Sequence, residues 1–337
     1  MADQNDEKTT QGGAETPTKG FGRLGELTDE QWKKIMERAQ ADEDAHDASE
    51  RRAIQQAYQR RLVWVSRDGV EQVLAAPPRN YEAPRISPDA RQVAVSVRGE
   101  IWLYDLSRET LTQLTHLGNK GDSNRPVWTP DGKRLAFCSN KDGPTNIYWQ
   151  LADGSGDLER LTTSESTNIP MSFSPDGQTL AFHQLSHYTG MDVYIYDVWM
   201  LRFSDRKAQP FLRSKLWAAT PQFSPDGRWL AYISDESGRY EVYLQPYPGP
   251  GGAVQISQGG GTEPVWNPNG RELFYWSRGF GRKGEMLAVD ISTEPSFTAG
   301  NPRMIFEAAY LGSTSREVPN YDVSADGQRF LMVKAPS

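Results

Sequence analysis

Histidines, cysteines and clustered carboxylates are the side chains best able to move protons, hold metals or attack substrates near neutral pH. The chain has four histidines, His46, His116, His183 and His187, and a single cysteine, Cys138. His183 and His187 stand four apart, a spacing that puts two imidazoles on one helix face, as in H-E-x-x-H. Here they fall at the end of a strand-like run and in a loop, where that spacing aligns nothing. Asp153-Gly154-Ser155-Gly156-Asp157 with Glu159 is reminiscent of a calcium loop but lacks the full D-x-[DN]-x-[DN]-G pattern, and a hairpin turn accounts for it. Gly20 to Gly25 and Gly279 to Gly284 both match G-x-G-x-x-G, yet neither follows a strand and opens a helix, as dinucleotide binding requires. The sequence contains no G-x-x-x-x-G-K-[ST] loop, no G-x-S-x-G elbow and no H-E-x-x-H. No catalytic, cofactor-binding or metal-binding residue is therefore expected.

A recurring phrase organises the chain. It reads Ser87-Pro88-Asp89, Thr129-Pro130-Asp131-Gly132, Ser174-Pro175-Asp176-Gly177, Ser224-Pro225-Asp226-Gly227, Asn267-Pro268-Asn269-Gly270 and Ser324-Ala325-Asp326-Gly327. Successive third positions lie 42, 45, 50, 43 and 57 residues apart. Pro sets the φ of the second turn position, Asp or Asn suits the third, and Gly the fourth. A short apolar run follows each turn, such as Arg134-Leu135-Ala136-Phe137 and Trp229-Leu230-Ala231-Tyr232. Third and fourth strand-like runs come next. Four short strands at this period read as one blade of an all-β propeller.

The sixth repeat stops after two strands. Residues 61–76, with Leu62-Val63-Trp64-Val65 and Val70 to Leu74 around Arg67-Asp68-Gly69, supply the missing pair. The ring is thus predicted to have six blades, at about 83–117, 126–164, 170–214, 220–258, 263–310, and 319–334 completed by 61–76. Such closure removes open sheet edges. Cys138 occupies the second-strand position held elsewhere by Ser96, His183, Ile233, Trp276 and Val333, which suits core packing better than thiol chemistry.

Residues 1–26 have the polar composition of an extended tail. Residues 27–60 read as an amphipathic helical arm. Thr28 to Gln31 form a capping box, Leu27 and Trp32 a hydrophobic staple, and Trp32, Ile35 and Met36 an apolar stripe. Leu27, Trp32, Ile35 and Met36 are candidates for docking on a partner, and packing on the chain's own ring is the alternative. The net charge of −7 argues against a general nucleic-acid binder. Neither a secretory leader nor an apolar run of membrane-spanning length is found, so a cytoplasmic location is expected, with peripheral docking on a membrane complex left open.

The six turns share one face of the predicted ring. The opposite face carries the blade-to-blade crossings and the longer, irregular loops, where binding usually resides. Tyr81, Tyr188, Trp217, Arg278, Phe280 and Arg282 belong to those loops and are of the residue types enriched at protein interfaces. Trp217 has an equal alternative as a wedge between blades.

At Pro126 to Gly132, Phe223 to Tyr232, Glu236 to Tyr243, Pro248 to Gly252, Gly260 to Trp266 and Tyr321 to Ser324, the chain resembles the TolB-type, WD40-like propellers built of PD40 repeats. It looks closest to the propellers attached to bacterial serine/threonine protein kinases, yet it shows no Gly-rich kinase loop, H-R-D or D-F-G. The resemblance implies protein–protein interaction or sensing and brings no catalytic residues. The resulting expectation is a non-catalytic scaffold or accessory subunit of a multiprotein complex, without cofactor. The rivals are a regulatory propeller binding a small ligand or peptide in its channel, and a propeller lyase or lactonase.

Overall fold

The computed structural model describes residues 59–188, 194–213, 217–277, 284–294, 296–308, 310 and 318–335, with backbone alone at 187, 188, 194 and 308. All belong to the unit Gln56–Ser337. The expected tail and nearly all of the segment expected to form a helical arm, including Leu27, Trp32, Ile35 and Met36, lie outside the described residues. So do Arg278, Phe280 and Arg282.

The described strands form six antiparallel sheets. In blade 1 the strands are Tyr81–Ile86, Gln92–Val97, Glu100–Asp105 and Thr110–Gln113. Blade 2 has Ser123–Trp128, Arg134–Ser139, Asn146–Leu151 and Glu159–Arg160. Blade 3 has Asn168–Phe173, Thr179–Tyr188, Tyr194–Arg202 and Lys207–Leu212, and blade 4 has Ala218–Phe223, Trp229–Ser234, Glu241–Pro246 and Val254–Gln255. In blade 5, Thr262–Trp266, Glu272–Ser277 and Gly284–Ser292 are followed by Thr298–Ala299 and Arg303–Ala308, both paired with the third strand. Blade 6 runs Tyr321–Val323, Arg329–Lys334, Arg61–Ser66 and Glu71–Val73, so both ends of the described chain share it. The seam is a continuous ladder from Arg61↔Lys334 to Ser66↔Arg329. No α-helix occurs among the described residues.

Local chemistry explains the turns. Ser224 Oγ donates to Asp226 Oδ1 at 2.6 Å and accepts the Trp229 amide at 2.9 Å, while the Gly227 amide donates to Ser224 O at 2.8 Å. Ser87, Thr129, Ser174 and Ser324 repeat the arrangement. Blade 1 has Ala90 where Gly follows in the other turns, and Ala90 still takes the left-handed conformation at φ 56°. Blade 5 departs from the pattern: Asn267 Nδ2 donates to Glu272 Oε2 at 2.7 Å, and Glu272 is also clamped by Arg67 of blade 6 and by Arg303.

A second device ties three of the crossings, those after blades 1, 2 and 4, to the blade they leave. Thr115, Thr162 and Ser257 accept the amides of Ile101, Ile147 and Val242, and donate to the side chains of Glu100, Asn146 and Glu241. Glu241 Oε1 also takes the Gly259 and Gly260 amides at 3.0 and 2.9 Å, so the Gly259-Gly260-Gly261 crossing is gripped as well as conformationally free. The core consists of apolar layers between blades. Phe274 of blade 5 meets Phe330 of blade 6 edge-on at 4.9 Å, and Leu62 and Val333 of blade 6 pack with Val93 and Val95 of blade 1. Truncating one such buried aromatic to Ala costs about 3–5 kcal/mol.

Candidate functional site

The residue two places before each turn holds one equivalent position in all six blades. These residues are Arg85, Val127, Ser172, Gln222, Val265 and Asp322, each on the first strand of its blade. They line a single cavity of about 230 Å³, which therefore lies on the ring axis. Pro88 and Pro130 place its mouth on the turn side.

The other end is closed. In blades 1, 2, 4 and 5 the residue just before the axial position is Pro84, Pro126, Pro221 or Pro264; in blade 3 the proline comes one residue earlier and Met171 takes its place. The register shift between Pro170 and Ser172 leaves Met171 as the extra, bulged residue. A bulge re-aims a side chain. Met171 and Ile169 form a buried cluster with Ala83 of blade 1 and Val318 ahead of blade 6. Blades 1 and 3 are not neighbours, so these contacts cross the bore and plug it.

The charged residues of the axis are held by backbone groups. Asp322 Oδ2 accepts the Ile86 amide at 2.7 Å and Oδ1 accepts the Val323 amide at 2.9 Å. Arg85 Nη1 donates to Pro84 O at 2.6 Å and Tyr321 O at 3.3 Å. Burial pushes the Asp322 carboxyl upward, against the pull of the Arg85 charge and its two amide donors. Burial likewise lowers Arg85, opposed by Asp322 and Glu263. Comparable stitches join other blades. Trp128 Nε1 donates to Arg85 O at 3.0 Å, Trp266 Nε1 to Gln222 O at 3.2 Å, and the Phe223 amide to Ser172 Oγ at 3.0 Å.

Beyond the plug, Glu263 Oε2 accepts the Asn320 amide at 2.7 Å, and Asn320 Oδ1 accepts the Ala83 amide at 2.8 Å. His183 is fully buried; its Nδ1 faces the Thr220 amide at 3.4 Å, and its ring packs 4.6 Å from that of Tyr196. Burial, aided by the Arg125 charge, holds the imidazole well below its ordinary pKa and so neutral. Two wider clefts open between neighbouring turns. One, of about 910 Å³, is lined by Arg228, Arg271 and Glu294. The other, of about 590 Å³, carries Trp149 and Phe203 stacked at 5.0 Å with Arg134 over the indole at 4.6 Å.

The residues expected to bind a partner fare differently. Tyr81 is fully buried, its hydroxyl donates to Pro77 O at 2.5 Å, and burial pushes its pKa up to about 12. Trp217 is buried between blades 3 and 4, edge-on to Tyr196 and Tyr240. Neither offers an aromatic face to a partner; these two sit in the core because the bulk that suits an interface also fills the gaps between blades. The backbone of Tyr188 ends the long second strand of blade 3 opposite Tyr194. His187 follows a register shift after Leu185, so it and His183 do not share regular strand spacing. Asp153 Oδ1 accepts the Ser155 amide and hydroxyl, as a hairpin turn requires. Cys138 is buried with Sγ 3.3 Å from Asn124 O. Sequence reasoning missed the axial ring, although its position two residues before every turn was available as a signal.

Among the described residues no group of three or more His, Cys, Asp or Glu is placed to hold a metal ion, and no helix is long and apolar enough to cross a membrane. The TolB β-propeller domain family, PD40, matches residues 61–198. An uncharacterised protein of Agrobacterium fabrum is 29% identical over 261 residues, covering 76% of this chain and 85% of the relative. The Tol-Pal system protein TolB of Anaeromyxobacter dehalogenans is 30% identical over 105 residues, 30% of this chain but only 23% of that protein. A solved TolB-type structure from Agrobacterium tumefaciens superposes with a TM-score of 0.69 at 18% identity, over 83% of this chain and 99% of that one. An oligogalacturonate lyase crystallised with manganese shares the fold at a TM-score of 0.54 and 16% identity, over 79% and 75% of the two chains. Residues 61–198 are thus similar to the TolB β-propeller domain family, and the six sheets continue the same architecture to Lys334.

Proposed function

We propose that this chain is a non-catalytic, protein-binding subunit of a larger assembly. The observation that carries this reading is the state of the axial charges: Arg85 and Asp322 are tied to backbone groups that join blades 6 and 1. Their backbone bonds fix them in place, and no third ionisable side chain lines the described cavity beside them, whereas an enzymatic reading needs several such groups converging on a substrate. The TolB match supports the same reading, because one relative is a Tol-Pal system protein. The likeness to kinase-attached propellers, carried by Gly260 to Trp266 and Tyr321 to Ser324, adds a docking or sensing role. The lyase likeness concerns fold alone.

In this proposal the arm residues Leu27, Trp32, Ile35 and Met36 anchor the subunit, and Tyr188, Arg278, Phe280 and Arg282 form the contact surface of the ring. The test uses full-length chain with Trp32→Ala, Ile35→Ala and Met36→Ala combined, purified by affinity from its native cells beside the unaltered chain. Loss of co-purifying protein with an unchanged melting temperature of the ring is expected. Retention of the partner at unchanged affinity overturns the anchoring role. A second reading, regulation by a small ligand, is favoured by the blind axial cavity.

A further inference from the structure

We infer that the axial cavity binds a free α-amino acid with a medium-sized apolar side chain. This inference develops the second reading of function and is independent of partner capture. Three observations carry it.

The cavity is blind. Met171 and Ile169 of blade 3 meet Ala83 and Val318 across the bore, so a molecule entering from the turn side meets an apolar floor. Its volume of about 230 Å³ lies below the roughly 300–1,000 Å³ typical of sites for drug-sized ligands. It matches a compact molecule of about ten non-hydrogen atoms.

Its charges are opposite and adjacent. Asp322 of blade 6 and Arg85 of blade 1 occupy equivalent ring positions on neighbouring blades, and each is tied to the backbone rather than to the other. Each Asp322 oxygen has taken one amide and retains acceptor capacity. Arg85 uses only Nη1 for its two carbonyl contacts, leaving donors on Nη2 and Nε. A zwitterion places an ammonium and a carboxylate on one carbon, the arrangement that two neighbouring opposite charges can take together.

Most of the remaining lining is apolar. Val127 and Val265 flank the charged pair, Trp128, Met171 and Phe173 add further apolar wall, and the uncharged Ser172 and Gln222 stand on the opposite blades. A hydrocarbon side chain there gains by leaving water, whereas an acidic or basic one would lose hydration without an oppositely charged partner.

The experiment is isothermal titration of the full chain with L-leucine at neutral pH. N-acetyl-L-leucine and L-leucinamide, each lacking one charge, serve as comparisons. Saturable one-site binding in the micromolar range is expected, at least tenfold weaker for both blocked forms. Val265→Phe, which fills the cavity while keeping both charges, is expected to abolish binding with the ring still folded by circular dichroism. Arg85→Lys keeps the charge but not the fork, and is expected to weaken L-leucine while leaving L-leucinamide unchanged. No saturable heat with L-leucine, L-valine or L-methionine overturns the proposal. So does equal binding of the blocked forms, or binding by Val265→Phe at unchanged affinity. Partner capture that persists when amino-acid binding fails leaves the scaffold reading standing.

Discussion

Trp64 lies directly across an antiparallel ladder from Leu331, more than two hundred and fifty residues later in the chain. The ring is sealed by this pairing, so its stability rests on a contact of very high sequence separation. Leu331 is fully buried whereas Met304, on the outer strand of blade 5, is 60% exposed. Leu331→Ala should cost about 2–5 kcal/mol, and Met304→Ala about 0.5 kcal/mol or less. Urea unfolding of the two variants makes the comparison; equal losses would show that the seam does not hold the ring.

The indole of Trp128 joins blade 2 to the Arg85 carbonyl of blade 1. Trp128→Phe keeps most of the apolar bulk and removes the donor. A loss of about 1–3 kcal/mol is expected, because a partly buried carbonyl loses its partner. Trp266→Phe should act alike through Gln222. If both variants melt with the unaltered chain, these bonds contribute nothing net.

Ala90 sits at φ 56°, where the corresponding residues of the other turns are glycines. A left-handed alanine is strained by about 1–2 kcal/mol, and glycine relieves this while adding backbone freedom to the unfolded chain. Ala90→Gly should therefore raise stability by about 0.5–1 kcal/mol. A fall in denaturation midpoint would contradict the turn analysis.

His183 carries a pH signature. Its folded pKa lies well below the unfolded value near 6.5, so the unfolded chain takes up a proton that the folded chain refuses. The associated stability is fully present above pH 6.5 and is lost as pH falls below it, by up to about 1.4 kcal/mol per pH unit. His183→Leu removes an acceptor facing the Thr220 amide and lowers stability overall. Its stability should nevertheless vary less steeply between pH 6.5 and 5.5. Parallel pH profiles for the two proteins would refute the burial argument.

Much of this architecture could be read from the chain because its turns are locally determined. Ser224, Pro225, Asp226 and Gly227 make their bonds within a few residues, and the two orphan strands at 61–76 had one incomplete blade to join. The crossing clasps were equally local: Leu114-Thr115, Leu161-Thr162 and Ile256-Ser257 form a second recurring phrase that is recognisable once its role is known. The plug was harder to see. A one-residue displacement of Pro170 turns Met171 into the bore, and sequence spacing does not show which way a bulged side chain points. Tyr81 and Trp217 illustrate the other limit, because an aromatic in a crossing segment reads alike whether it faces solvent or wedges two blades apart.

The bonds at the blade boundaries have a consequence for how the chain assembles. An indole meets a carbonyl between blades 1 and 2, a serine meets an amide between 3 and 4, a carboxylate meets an amide between 6 and 1, and an arginine–carboxylate pair, Arg67 with Glu272, joins 6 to 5. Modules built from near-copies of one sequence are prone to dock with the wrong copy while folding. The 4–5 boundary repeats the indole–carbonyl bond through Trp266 and Gln222, but the serine, carboxylate and arginine junctions differ from it and from one another, so an out-of-order ring would leave polar groups mismatched at those junctions.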